Sequence, residues 1–401
     1  MMCNTRRLTR LDALLHLLTG MAFSVAIGFG NPILSAYGFH SGQVGLVYSG
    51  AMVATILLQS GMSVLIEQRR LFSVIQSLRI VAAGGILSAL LIPAVRHLPG
   101  TVAVLYLLLL AISTMALPTL GALTACWIGD GYAVNFGAAR AMSSVGFSVV
   151  GFMGGFIMRT AGATTLLYLY VILQGLLIAA SFICPRTAGG YPTADAGTVR
   201  FRTLFRQYPD FGRLLIGTVF LFFSHNLISN FLKDIVEHGG GGPVEYGVAV
   251  GLCTLLELPA LFGFAMVRRR IRTVTLMQVS ALFLTLKVLI LTLSGSVYGI
   301  WGAQAVQSLA YGLYTPAVLY YVHETVAAKF QVRAQLAVGV ATMGVGGAAG
   351  NFFGGYMIRY WGITITLAAA TVVSAVGWII FRNLKGGSRY GAEASADVED
   401  I

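Results

Sequence analysis

Apolar residues lie along this chain in long stretches of about twenty positions, separated by short segments that hold nearly all of the charge. The stretches follow neither the alternation of a half-exposed strand nor the narrow stripe of a surface helix. Each is apolar on all sides, as suits a helix whose surroundings are themselves apolar. A hydrocarbon layer takes about 20 such residues per crossing, because every backbone N–H and C=O must be bonded inside the segment. Six stretches meet that criterion in the first half, at 14–37, 44–66, 72–93, 102–128, 136–158 and 165–184. Six more follow at 214–235, 246–267, 274–293, 297–322, 336–358 and 363–381.

The two sets echo each other. Gly154 to Gly162 reads GGFIMRTAG, and two hundred positions later Gly354 to Gly362 reads GGYMIRYWG. A second echo, Ala116-Leu117-Pro118 against Tyr314-Thr315-Pro316, falls at nearly the same offset. Internal repeats of this kind mark transporters built from two related bundles with the solute site between them. The expected fold is an all-α polytopic membrane protein with 12 transmembrane helices in two pseudo-symmetric six-helix bundles. The expected divisions are an N-terminal bundle at 1–184, a cytoplasmic linker at 185–212, a C-terminal bundle at 213–383 and a disordered cytoplasmic tail at 384–401. Within the linker, the alternation of Arg with Phe and Leu from Val199 to Tyr208 fits either a short helix lying on the membrane face or a solvated connector.

Composition agrees with a bilayer as solvent: 401 residues are 57% hydrophobic and 10% charged, with a mean hydropathy of +0.81. A net charge of +12 raises nucleic acid as a partner, but the basic residues are dispersed among loops and form no basic domain. With both termini cytoplasmic, the outer loops keep only Arg96, Arg159, Lys233 and Arg359 while the inner segments hold the remaining arginine clusters. The positive-inside rule therefore predicts an N-in, C-in protein of the cytoplasmic membrane. The first stretch is too long for a signal-peptide core and lacks a small-residue cleavage site, so it is expected to stay as the first helix. Cys3, Cys126, Cys184 and Cys253 show no paired spacing, and neither disulfides nor a metal site are expected.

Glycines spaced by four, Gly346, Gly350 and Gly354 as well as Gly151 and Gly155, give single helical faces that let backbones approach closely. Ionisable groups within the stretches are the candidates for function, since lipid makes them costly. Glu257 lies midway along the eighth, too short to reach either interface, and its carboxyl either switches charge as its surroundings alternate or stays protonated as a hydrogen-bonding group. Lys287 in the ninth either snorkels outward or neutralises an acid. Arg140, just inside the fifth, either snorkels or points inward, where its fork of donors suits paired hydroxyls or a carboxylate. Phe147 shares its face two turns on. Arg79 reads as an interface anchor. His225 and Asn226 in the seventh stretch, Gln304 and Gln307 in the tenth, and Asn31 before Pro32 in the first supply uncharged hydrogen-bonding groups; each suits either interhelical bonding or a solute contact. His323-Glu324 lacks the second histidine of the zinc-protease motif, and no nucleophile elbow or phosphate-binding glycine loop is found. An enzyme or an ATP-driven pump is therefore not expected.

At these residues the chain resembles the major facilitator superfamily. The loop motif between its second and third helices is represented by Glu67-Gln68-Arg69-Arg70, with Arg268-Arg269-Arg270 at the equivalent place in the second half. Phe136-Gly137-Ala138-Ala139-Arg140 with Val145-Gly146-Phe147, Leu256-Glu257-Leu258-Pro259-Ala260, and Phe330-Gln331-Val332-Arg333 are similar to motifs of the lactose-permease-like oligosaccharide:proton symporters and sugar efflux transporters. The resemblance implies Arg140 as a sugar ligand with Phe147 stacking on the ring where the permeases usually carry Trp. It implies Glu257 as the link between solute and protons. Where the permease carries its helix-ten proton relay, this chain has Gly312 and Thr315.

The expected function is secondary active transport of a small polar solute, a sugar or related compound, by alternating access. Arg140, Phe147, Asn31, His225, Asn226, Gln304 and Gln307 are the expected solute contacts, and Glu257 and Lys287 the expected proton-coupling pair. No cofactor is expected beyond a proton gradient, and the expected partners are the solute and the bilayer around a monomer, with no nucleic acid. The alternatives are an exporter of amphipathic drugs, for which an aromatic content of 11% would line the cavity, and a non-transporting membrane sensor.

Overall fold

The computed structural model describes residues 2–67, 72–185 and 207–385, and all regular structure among them is helical. In the first half, α1 covers Met2–Phe23 and continues through a wide π turn at Ser24–Gly28 into the short helix Gly30–Ala36. There follow α2 (Ser41–Glu67), α3 (Val74–Ala94), α4 (Pro99–Gly129), α5 (Phe136–Ala161) and α6 (Leu166–Ser181). In the second half, α7 (Pro209–Asn230) leads into the short Leu232–His238 and then α8, which is split into Pro243–Leu255 and Leu258–Arg268. After α9 (Thr273–Leu293), α10 is likewise split, into Val297–Ala305 and Tyr311–Thr325. α11 begins at Ala328–Gly339, passes through a π turn at Val340–Gly347 and enters the helix Ala348–Arg382, which Gly362 divides; α12 follows that division.

Ten segments are long and apolar enough to cross a membrane, and the tenth, Arg333–Arg382, is 50 residues long and doubles back at Gly362. Adding the split α10 gives the twelve crossings expected from sequence. Two expectations need correction. The eighth and tenth stretches are not continuous helices, and α1 begins well before residue 14, so Asp12 lies inside it. The expected linker and its Val199 to Tyr208 stretch fall mostly outside the described residues, as do the tail beyond 385 and the loop motif beyond Glu67.

Local chemistry sets the helix ends. Ser73 and Gln76 form a reciprocal cap at the start of α3, Gln76 N donating to Ser73 Oγ (3.3 Å) and Ser73 N to Gln76 Oε1 (2.8 Å). Asn135 accepts from Ala138 N at 3.0 Å to start α5. Proline opens α4, α7 and α8, where its missing N–H would have had no helical partner.

The duplicated nonapeptide has a physical meaning. Its first glycine packs within its own half, Gly154 against the Phe29 ring and Gly354 against Leu227. Its second glycine faces the other half: Gly155 lies against Pro243 and Gly247, and Gly355 against Ser41 and Gly45. Its last glycine, Gly162 or Gly362, turns the chain at φ 85° or 80°, a region a side chain would strain. The halves therefore touch through two glycine seams, α5 on α8 and α2 on α11. Both seams lie at the end away from the chain termini.

Core packing follows the same division. One hydrophobic cluster fills the first half and continues across the seam end into Leu227, Phe231, Tyr246 and Val250. A second fills the terminal end of the second half around Phe211, Met277, Tyr314 and Phe381. Toward the termini the halves diverge: a side-chain carbon at Gly137 in α5 or Gly263 in α8 would meet nothing from the opposite half. The molecule is closed at one end and cleft at the other.

A Cβ at Gly247 would lie 2.6 Å from Gly155 Cα and 2.8 Å from Gly151 O. Gly247→Val is expected to push the seam apart and shift the population toward conformers open at that end, at a cost of about 1–3 kcal/mol to the closed form. Spin labels placed across the seam would report it as a longer inter-label distance.

Candidate functional site

The two split helices meet. Pro259 has no N–H to donate to the Leu255 carbonyl and its ring crowds that position, so α8 stops at Leu255 and restarts at Leu258 with Glu257 in the gap. In α10 the helix loosens into a tighter turn at Val306–Ser308 and the chain bends at Ala310 (ψ −99°). Gly312, just past that bend, lies flat on the gap: a Cβ there would be 3.3 Å from Glu257 Cα and 3.2 Å from the Ala260 Cβ. A relay side chain at that position, as in the permeases, has no room.

Across this junction runs a chain of three polar side chains. Lys287 Nζ donates to Gln307 Oε1 at 2.5 Å, and Gln307 Nε2 donates to Glu257 Oε1 at 2.7 Å. An amide is the side chain that fits between a cation and a carboxylate, offering oxygen to one and N–H to the other. Lys287 is 2% exposed and Glu257 9% exposed, so Lys287 does not snorkel to an interface. Lys287 also lies 3.9 Å from Cys253 Sγ.

The chain borders a cavity of about 230 Å³ between the halves. Arg140 and Phe147 of α5 line one wall; His225 and Asn226 of α7, Glu257, Lys287, Gln304 and Gln307 line the other. Aromatic faces frame it. His225 stacks on Tyr311 (4.9 Å between centroids, 3° between planes), and Phe147 lies 6.0 Å from Phe23. Asn226 Nδ2 donates to Phe222 O at 2.8 Å, while Gln304 Oε1 and His225 Nδ1 are buried without a hydrogen-bond partner among the described residues. Such a wall offers hydrogen bonds and flat apolar surface together.

Of the expected site residues, Asn31 alone is not on the cavity wall. It sits at the closed end, where its Nδ2 donates to Asp234 Oδ2 (2.5 Å) and to Asn230 O (3.2 Å), joining α1 to α7 across the halves. Asn230 in turn donates to Asn351 Oδ1 of α11 at 2.7 Å, and the Tyr246 hydroxyl donates to Gly28 O beside it. Arg79 binds the end of α6 through Ser181 Oγ (2.8 Å) and O (2.9 Å) and lies over the Phe182 ring. Reasoning from sequence missed Asp234, Tyr311 and Ser143, and also the buried pair Asp12 and His16, whose i, i+4 spacing was the available signal.

The sequence profile of the MFS_1 like family matches residues 14–369. No curated protein sequence matches the chain. Among solved structures, a point mutant of the nucleoside transporter NupG superposes with a TM-score of 0.82 at 13% identity, covering 94% of this chain and 99% of that one. A second crystal structure of NupG gives 0.75 at 14% identity, covering 93% and 98%. At that identity the likeness is one of fold.

Gln307→Ala leaves both Lys287 and Glu257 without their bridging partner. Thermal unfolding is expected to show a loss of about 1–2 kcal/mol, and Lys287→Ala combined with Gln307→Ala is expected to cost less than the sum of the two.

Proposed function

This chain belongs to the MFS_1 like family and is a membrane transporter, not an enzyme; on that premise we propose that it carries a neutral, ring-shaped, polyhydroxylated solute, with nucleosides ahead of free sugars, coupled to protons through Glu257. One observation carries this reading: hydrogen-bonding groups and aromatic faces alternate around one cavity between the halves. A nucleoside has a sugar whose hydroxyls suit the Arg140 fork, and a flat base that suits the Phe147 ring and the His225 and Tyr311 stack on the cavity wall. The fold shared with a nucleoside transporter supports the choice. A free sugar uses only the first set of groups. The small cavity also disfavours an oligosaccharide.

The seams support alternating access. In the form described here the glycine seams and the Asn31 and Asp234 contact shut one end, while the cleft opens at the end that carries the termini. The arginine distribution supports placing that open end in the cytoplasm. Rocking the halves about the cavity would part the seams and bring α5 onto α8 at the other end. Glu257 is suited to coupling because it lies in a helix gap beside both the cavity and the Lys287 cation. Loss of its charge releases Gln307 and Lys287 to other partners, so the protonation state of Glu257 bears on the cavity wall.

Purified protein tested by thermal shift against uridine, adenosine, glucose, lactose and tetraphenylphosphonium decides the solute class. A nucleoside at 100 times its Kd adds about 2.7 kcal/mol of apparent stability; a response to the lipophilic cation alone would favour the drug-exporter reading. In proteoliposomes, Glu257→Gln is expected to abolish uridine accumulation driven by a pH gradient while retaining uridine exchange. Unchanged gradient-driven uptake would remove Glu257 from coupling. Arg140→Lys, which keeps the charge and loses the fork, is expected to weaken uridine binding about tenfold, or 1.4 kcal/mol.

A further inference from the structure

A second group of titratable side chains lies in the first half, apart from the Glu257 chain. Asp12 and His16, one turn apart on α1, are both fully buried, with His16 Nε2 3.8 Å from Asp12 Oδ1. Thr124 of α4 donates to Asp12 Oδ1 at 2.9 Å, and His16 Nδ1 is bonded to Ser143 Oγ of α5 at 3.0 Å. Asp12 Oδ2 and His16 Nε2 have no hydrogen-bond partner among the described residues. A carboxylate beside a neutral imidazole leaves a bare charge in a dry site, which is costly; one added proton, on either group, removes it.

The hydroxyls around the pair accommodate both states. Thr124 Oγ1 is also 3.1 Å from Leu120 O. With Asp12 ionised, the Thr124 proton points to the carboxylate; with Asp12 protonated, it turns to the Leu120 carbonyl and its oxygen accepts from Asp12. Ser143 can likewise donate to His16 Nδ1 or accept from it. Among the described residues, few titratable groups bear on the pair. Arg140 of α5 acts on His16, and Cys184 beyond α6 interacts with Asp12. α4 contributes the uncharged Thr124, and Arg6, Arg7 and Arg10 on α1 itself are exposed. Ser143 also lines the solute cavity, one turn from Arg140. The pair is therefore connected to the cavity through a single hydroxyl.

We propose that Asp12 and His16 form a second proton-binding site, in the first half of the transporter, whose occupancy is sensed by the solute cavity through Ser143. The proton comes from water, forms N–H on His16 or O–H on Asp12, and returns to water on release. Its coupling to transport rests on the reading of the cavity given above; its existence as a proton site does not.

Infrared difference spectroscopy of the full chain in lipid vesicles, stepped between about pH 5 and 8, tests the site without any solute. Among the carbonyl bands of the wild type, one is expected to be lost in Asp12→Asn and a different one in Glu257→Gln. A spectrum of Asp12→Asn identical to the wild type overturns the proposal. Should Asp12→Asn not fold, His16→Gln makes the same test: the midpoint of the Asp12 band shifts by about 1 pH unit or more if the two groups share a proton, and an unmoved midpoint overturns it. In proteoliposomes that accumulate uridine, Asp12→Asn is expected to lower the number of protons carried per uridine, and an unchanged ratio removes the link to the cavity. Absence of uridine transport in the wild type would count against the nucleoside reading and leave the infrared result to decide the proton site.

Discussion

The structure depends on a rule that lipid enforces: a polar group inside the membrane must find a partner inside the protein. Glu257, Gln307 and Lys287 obey it by meeting at the one place where two helices are both broken. Pro259 opens the gap that holds Glu257, Gln307 sits in the turn just before the bend at Ala310, and Gly312 lets the two breaks lie flat on each other. Unbroken helices would have shielded these groups behind their own backbones. Broken backbone at membrane depth is tolerated here because it borders a cavity between the halves, with the polar side chains completing the bonding.

The same rule explains why the closed end is built from glycine. On the proposed alternating access, the two bundles have to separate, which large interlocking side chains would hinder. Gly151 and Gly155 against Gly247 and Gly251, and Gly45 against Gly355, bring backbones together over small areas that part without stranding polar atoms. The hydrogen bonds that add specificity, from Asn31 to Asp234 and from Tyr246 to Gly28, lie buried beside the seams. The duplicated nonapeptide makes both seams from one plan, since its second glycine faces the opposite half in each copy.

Much of this was readable from the chain. Crossing number, the two halves and the candidate residues in α5, α7, α8, α9 and α10 follow from where polar groups interrupt apolar runs. Depth alone does not distinguish a cavity wall from a seam, so Asn31 reads as a solute contact in the sequence and sits at the seam in the fold. Asp12 falls before the apolar stretch that starts at residue 14, although α1 runs through it, and His16 inside that stretch has no partner visible in sequence until the helix brings the two one turn apart. The breaks in α8 and α10 were hidden by composition: a proline or a glycine in an apolar run reads as a tolerated irregularity until a partner helix is seen to use it.

By itself the sequence determined that this protein is a twice-built helical membrane protein, because hydrocarbon permits few ways to satisfy a backbone and each leaves its length and hydropathy in the chain. It also marked Glu257, Lys287 and Arg140 as groups that must be accounted for. Only the tertiary structure decided who meets whom: that Gln307 stands between Lys287 and Glu257, that Asn31 faces Asp234, and that His16 reaches the cavity through Ser143. The physical reason is that helical periodicity sets which residues share a face, while the partner across that face is chosen by the packing of helices far apart in sequence.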